Sequence, residues 1–408
     1  MRATSPAKSA VIASLHSASC GADTAARFDE GSSLCKLRLN EYPEVVMASR
    51  LTDIAVFGGG GFIGRHLLRA LLRLAPETSP EALRIRVICR NAVKVRVQLA
   101  VDSDQRLQQA VRSSQITFVT ADVTQEEQVL QALRPLPQSV ANLVGLLYET
   151  PPERTFEKVH VKAAENISKA FKLNEQAEHT ASSELERPIM TQVSAIGADF
   201  TAVHSAYARS KGLAEQALLS HLGKQVLIIR PSIVFGPGDQ FFTRFRDMAR
   251  FSPALPLIGT GDTRFQPVYV EDLALALARS IHPAERKKYV AMESSAESSM
   301  DSEHEQIFEL GGRDILTFRE LMARMLSVTQ MRRLLVPIPL SVANIQAQAS
   351  ELLHRMVPSI PPMLTRDQIA LLQRDNVVHT GYRTFRDLGI DQPRGVDAET
   401  LTYLAERR

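Results

Sequence analysis

The sequence predicts an α/β fold built on a doubly wound parallel sheet. Two observations carry this. Short apolar runs alternate with amphipathic ones from Leu51 to Arg230, as expected of parallel strands joined by helical crossovers. The first apolar run also ends in four glycines, Gly58–Gly61, and passes at once into the amphipathic run Phe62–Leu74. With 408 residues, 44% of them hydrophobic, the chain is long enough for one large domain or two moderate ones.

The elements follow in order. Leu51–Phe57 reads as a strand and Phe62–Leu74 as a helix. Arg84–Cys89 alternates like a strand, and a charged helical stretch runs on to about Arg112. Gln115–Thr120 is the third strand, Gln125–Leu133 a helix, and Ser139–Val144 the fourth strand. Phe156–Lys172 spaces Phe156, Val159, Ala163, Ile167 and Ala170 at helical intervals. Pro188–Ser194, Tyr207–Leu222 and Gln225–Arg230 complete the pattern as strand, helix and strand. The polar runs Glu175–Arg187 and Glu293–Glu305 read as surface insertions. Beyond Phe235 the pattern becomes irregular. Val336–Leu340 and Val357–Met363 carry closely spaced prolines and read as extended surface segments, with an amphipathic helix, Ser341–Met356, between them. Three regions are expected: an extension (1–49), a nucleotide-binding domain (50–235) and a smaller irregular α/β region (236–408).

The glycines give the fold a chemistry. Gly58, Gly61 and Gly64 stand three apart, and Gly59, Gly61 and Gly64 satisfy G-x-G-x-x-G. Such a loop needs one glycine to turn at positive φ, one to admit a pyrophosphate to the backbone, and one to let the helix approach the strand. The pyrophosphate then rests on unpaired N–H groups at the helix N-terminus. A glycine-rich turn without a ligand is the bland alternative, and the strand–turn–helix context argues against it. The fold is therefore expected to be of Rossmann type, with Gly58, Gly61, Phe62, Ile63, Gly64 and Arg65 as cofactor-binding residues.

At the end of the second strand, where NAD-binding folds place an acid for the ribose hydroxyls, stand Cys89, Arg90 and Asn91. An arginine there pairs with a 2′-phosphate, and Arg65 adds a second charge, so NADPH is expected over NADH. Asp122 and Val123 follow the third strand, placed for the adenine edge. Asn142 and Gly145 end the fourth, near the ribose and nicotinamide. Tyr207 and Lys211, four apart, share a helix face. A lysine beside a phenol lowers its pKa, which would suit the phenol to acid–base work on a carbonyl or alcohol. Ser194 lies 13 residues before Tyr207, a compatible place for a substrate hydroxyl donor.

Composition excludes other classes. The net charge of +3 gives no warrant for nucleic-acid binding, and no basic stripe is interleaved with aromatics. Cys20, Cys35 and Cys89 show no metal-ligand spacing, so no metal is expected, and they argue against a disulfide scaffold. No apolar run reaches the roughly 18 residues of a membrane span. The first 22 residues are rich in Ser and Ala and lack acids, the composition of an organelle transit peptide. A disordered tail, or a start at Met47, would read the same way.

Together, Gly58–Gly64, Asp122, Tyr207 with Lys211, Arg230–Asp239 and Pro267–Asp272 resemble the extended and atypical short-chain dehydrogenase/reductases, over most of Leu51 to Ile281. Asn142–Thr150, Arg246–Leu257, Leu364–Gln368, Phe308–Gly312 and Thr384–Gly389 are similar to a narrower family, the NADPH-binding accessory subunits of mitochondrial complex I (NADH:ubiquinone oxidoreductase). That resemblance implies a tightly held structural nucleotide and no hydride transfer by the subunit. It also implies other complex I subunits as partners and a site on the matrix side of the inner membrane, near the quinone site. Pro231 joins the expected cofactor-binding set. Extended members often place the active hydroxyl slightly after Ser194, where this chain has Ala195 and Ile196. Tyr207, Lys211 and Ser194 are thus vestigial catalytic candidates, with Tyr207 and Lys211 holding the nicotinamide ribose. The alternative is a free NADPH-dependent reductase or nucleotide-sugar epimerase, with Arg244, Arg246 and Arg264 lining a substrate cleft.

Overall fold

The computed structural model describes residues 51–75, 83–178, 187–289, 304–357 and 359–405. The expected leader lies outside them, as do 179–186 and 293–303 of the two expected insertions.

The first half alternates as expected. β1 (Thr52–Phe57) leads to α1 (Phe62–Leu74), β2 (Leu83–Cys89), α2 (Ala92–Ala100) and α3 (Gln105–Arg112). β3 (Ile116–Thr120), α4 (Glu126–Ala132) and β4 (Ser139–Asn142) follow. A π-helical turn, Glu157–Lys162, runs into α5 (Ala163–Glu178), and then come β5 (Ile189–Val193), α6 (Ala206–Leu222) and β6 (Val226–Pro231). Two expectations change in detail. The charged stretch is two helices, because Asp102 accepts from Asp104 N–H and Asp104 then caps α3 through Leu107 N–H. β4 stops two residues early, where Asn142 Oδ1 captures Val144 N–H.

The remainder contributes β7 (Val234–Phe235), α7 (Phe241–Phe251), β8 (Ala254–Ile258), β9 (Arg264–Phe265), β10 (Val268–Tyr269), α8 (Val270–Ile281) and α9 (Pro283–Tyr289). β11 (Ile307–Leu310), β12 (Leu316–Thr317), α10 (Phe318–Val328), β13 (Leu334–Ile338), α11 (Leu340–Met356) and α12 (Arg366–Leu371) follow.

Seven strands form the central sheet in the order β11-β6-β5-β4-β1-β2-β3, all neighbours parallel. Alternation along β1 sorts the core: Ile54 and Val56 face Leu67, Leu71 and Leu277 of α1 and α8, while Ala55 and Phe57 face Ile167, Phe171 and Leu218 of α5 and α6. The strand order reverses between β1 and β4, the crevice where open α/β sheets take ligands.

The expected division near residue 235 is not a division in space. β11 joins the sheet beside β6, α8 packs on α1, and residues 49–408 form one compact unit. The proline-rich run 336–340 is partly a paired strand, since β13 lies parallel to β8, though it stays at the surface. A third core cluster around Phe235, Phe242, Leu257 and Met322 joins α7, β8 and α10.

Candidate functional site

The glycine loop lies at the reversal point of the sheet. Gly58 has φ +81°, a conformation strained for any residue with a Cβ, and its carbonyl accepts Gly61 N–H at 2.9 Å. Arg65 N–H to Gly61 O is the first bond of α1, so the N–H groups of Phe62, Ile63 and Gly64 have no backbone acceptor, and Gly61 has no side chain to cap them. A Cβ on Gly64 would lie 2.4 Å from Gly58 O and 2.6 Å from Gly59 Cα. Bare helix-end donors and a loop free of Cβ atoms fit a pyrophosphate.

Arg65 leaves a buried Nε without a partner, and its Nη2 lies 3.1 Å from where a Gly238 Cβ would be. His66 Nε2 bonds Pro237 O at 3.1 Å, so the loop Gly236–Asp239 closes over the start of α1. Arg90 is exposed just beyond β2, whose Ile88 carbonyl accepts Gly58 N–H. Asn91 is occupied in capping α2 through Lys94 N–H. Asp122 is less free than expected: its Oδ1 accepts both Thr124 N–H and Thr124 Oγ–H, leaving Oδ2 open. Val123 is buried, with its carbonyl held by Asn166.

The far end of the cleft gathers β4, β5, β6 and α6. Asn142 spends its side chain on Gln192 and on Val144 N–H, so it shapes the strand end. Lys211 is buried, donates to Val193 O at 3.2 Å, and has its ammonium 5.9 Å from the Tyr207 ring centre. A Cβ on Gly145 would lie 3.3 Å from Lys211 Nζ. Ser194 Oγ is buried without a partner, and Ile196 N–H bonds Pro231 O. The structure therefore brings Gly145, Ser194, Tyr207, Lys211 and Pro231 to one end of the sheet.

The expected tuning of the phenol is reversed. Desolvation, and then the Asp367 carboxylate, push Tyr207 up to about 12, while burial pulls Lys211 down to about 8 against the pull of Glu215. Lys211 does not offset the apolar surroundings of the phenol.

Asp367 comes from the C-terminal region. Its carboxylate accepts Ser205 Oγ–H at 3.0 Å and Tyr207 N–H at 3.3 Å, at the N-terminus of α6. Thr365 and Gln368 form a capping box on α12, and Gln368 reaches Leu147 O. His354 of α11 bonds Thr150 Oγ at 3.2 Å, and Arg244 donates to Pro362 O at 2.6 Å. The described residues of 340–372 thus strap the cleft at the end formed by the loop after β4 and the start of α6. Two arginines expected along a substrate cleft are engaged elsewhere: Arg246 with Asp247 and Arg264 with Asp375.

Sequence reasoning missed Asp367 and His160. A capping-box pattern at Thr365 and Gln368 marked the first helix turn, although nothing local shows where it docks. His160 stands beside Val159 on the apolar side of a helical run, a polar residue at a core position. Among the described residues, no group of His, Cys, Asp and Glu is arranged to hold a metal.

This site defines a Rossmann-type protein of the short-chain dehydrogenase kind, with a nicotinamide dinucleotide as its cofactor. The sequence profile of the NAD-dependent epimerase/dehydratase family matches residues 54–291, and the chain belongs to that family. Among curated relatives, alpha subcomplex subunit 9 of mitochondrial NADH dehydrogenase (ubiquinone) from Arabidopsis thaliana is 29% identical over 86% of this chain and 77% of its own length. The Mus musculus subunit of the same name is 25% identical over 86% and 80%. Among solved structures, dTDP-glucose 4,6-dehydratase from Bacillus anthracis, in complex with NAD, matches with a TM-score of 0.54 and 15% identity, over 87% of this chain and 96% of that one. The NADPH-dependent quinone oxidoreductase from Escherichia coli, with NADPH, matches with a TM-score of 0.54 and 17% identity, over 86% and 99%. These two share the fold and differ in nucleotide, so the fold does not choose between NAD and NADPH.

Proposed function

We propose that this chain is an NADPH-binding accessory subunit of respiratory complex I. In this reading it lies on the matrix side of the mitochondrial inner membrane, holds its nucleotide as a structural ligand, and supports the matrix arm near the quinone site. One observation carries the proposal. The likeness to the complex I subunits runs over 86% of the chain, whereas the epimerase family match ends at residue 291. The likeness to those subunits is thus longer than the family match, and the strap at 340–372 lies beyond that match.

The site supports a silent role. A phenol near 12 is a poor proton donor and a poorer base at neutral pH. Arg90, exposed and with no carboxylate partner among the described residues, supports NADPH, because an acid in its place would repel a 2′-phosphate. α11 supports a partner. Ala343, Ala347 and His354 face inward, while Val342, Ile345, Leu352 and Met356 are 51–73% exposed at helical spacing along its outer side. A contiguous apolar strip of this kind marks an interaction surface.

The second reading, a free NADPH-dependent reductase or nucleotide-sugar epimerase, is favoured by the unpartnered Ser194 hydroxyl beside the strand end that holds Lys211. Organelle membranes solubilised in mild detergent and run on a native gel separate the two readings. Comigration of this chain with NADH:ubiquinone oxidoreductase, identified by mass spectrometry, supports the accessory subunit. A free chain that oxidises NADPH with a carbonyl substrate overturns it.

A further inference from the structure

His160 has no part in the expected cofactor set, yet it occupies the centre of the nicotinamide end. Val159, His160 and Val161 are all buried, and His160 lies one helical turn after Phe156 on the inward side of the run. His160 sits within the π-helical turn Glu157–Lys162, a local irregularity of the kind often found at functional sites. The imidazole stacks on Phe156 with 5.4 Å between ring centres and meets the Tyr207 ring edge-on at 5.6 Å.

Both ring nitrogens are engaged. Nε2 accepts the backbone N–H of Leu146 at 2.9 Å, which fixes the tautomer with the proton on Nδ1. Nδ1–H then donates to Ser210 Oγ at 2.8 Å, and Ser210 donates in turn to Tyr207 O at 2.8 Å. The chain of donors runs one way, from the loop after β4 to the first turn of α6. Burial, together with the nearby Lys211 ammonium, holds the imidazole down to about 2, so it stays neutral and carries no proton between them.

We infer that His160 is a positioning residue for the nicotinamide ribose, clamping the Gly145–Leu146 backbone to the helix that carries Tyr207 and Lys211 and so setting the gap between them. A Cβ on Gly145 would lie 3.7 Å from His160 Nε2 and 3.3 Å from Lys211 Nζ, so even a methyl group there would come into contact with both. The inference rests on a dinucleotide occupying the cleft.

The test compares two ligands on the full chain: NADPH, and adenosine 2′,5′-bisphosphate, which lacks the nicotinamide ribose. His160→Phe keeps the stacked ring and removes both hydrogen bonds. It is expected to weaken NADPH about tenfold and the bisphosphate hardly at all, the loss of about one hydrogen bond's worth of alignment. His160→Gln, with an acceptor and a donor of its own, is expected to restore most of the affinity. Ser210→Ala breaks the same clamp from the α6 side without touching the ring, and serves if His160→Phe does not fold. Equal weakening of both ligands, or no weakening of NADPH, overturns the inference. An unmodified chain that binds neither ligand overturns the dinucleotide reading and this inference with it.

Discussion

Gly64→Ala tests the glycine loop most directly. The added Cβ would sit 2.4 Å from Gly58 O and within 2.7 Å of two Gly59 backbone atoms. Carbon needs roughly 3.5 Å, so the start of α1 must back away from the loop by about 1 Å. No flexible side chain is available to yield, because every close neighbour is backbone. Overpacking of this kind costs about 1–3 kcal/mol of stability. The larger effect should fall on the nucleotide. The free N–H groups of Phe62, Ile63 and Gly64 move with the helix, and losing one hydrogen bond to a charged group costs roughly 1.5–3 kcal/mol, or about 10- to 100-fold in affinity. The assay is NADPH binding by calorimetry, beside thermal melting of the nucleotide-free protein. Leu68→Ala is the control: Leu68 is fully buried on α1, away from the loop, so it should lower the melting temperature as much or more while leaving affinity nearly unchanged. If Gly64→Ala binds NADPH as tightly as the unmodified chain, the loop does not hold the pyrophosphate.

Two further outcomes are expected. Arg90→Glu should weaken NADPH by more than tenfold and NADH by much less, because the change sets a carboxylate against a 2′-phosphate; equal losses in a competition titration would refute that contact. Lys211 predicts a pH dependence. Its folded pKa, about 8, lies below its unfolded 10.5, so between those values the unfolded chain binds more protons and stability rises with pH. The burial penalty is fully felt below about 8. Between pH 7.5 and 9.5 the nucleotide-free protein should therefore gain about 2 kcal/mol relative to Lys211→Met, measured by urea unfolding. A flat difference across that range would show that Lys211 is not desolvated.

Much of the fold was legible because its signals are local. The strand–turn–helix at Gly58–Gly64 rests on the freedom of glycine, and the core strands follow the alternation of apolar residues along them. Where local signals compete, reading fell short: Asp102 and Asp104 broke one helical stretch into two, and Asn142 ended β4 early by bonding its own backbone. The boundary placed at residue 235 dissolved because β11 and α8 return to the first half, a long-range pairing that no window of sequence displays.

By itself the sequence determined that this protein has a glycine loop between a strand and a helix, an arginine where an acid is usual, and a tyrosine and a lysine on one helix face. Only the tertiary structure decided what those residues can do. It buried Lys211, brought Asp367 from 160 residues away to the head of the Tyr207 helix, and packed His160 against the Tyr207 ring. A pKa depends on the dielectric and charges around a group, and these come from the whole fold rather than from sequence neighbours. The spacing of Tyr207 and Lys211 suggested a tuned acid; their surroundings hold the phenol protonated.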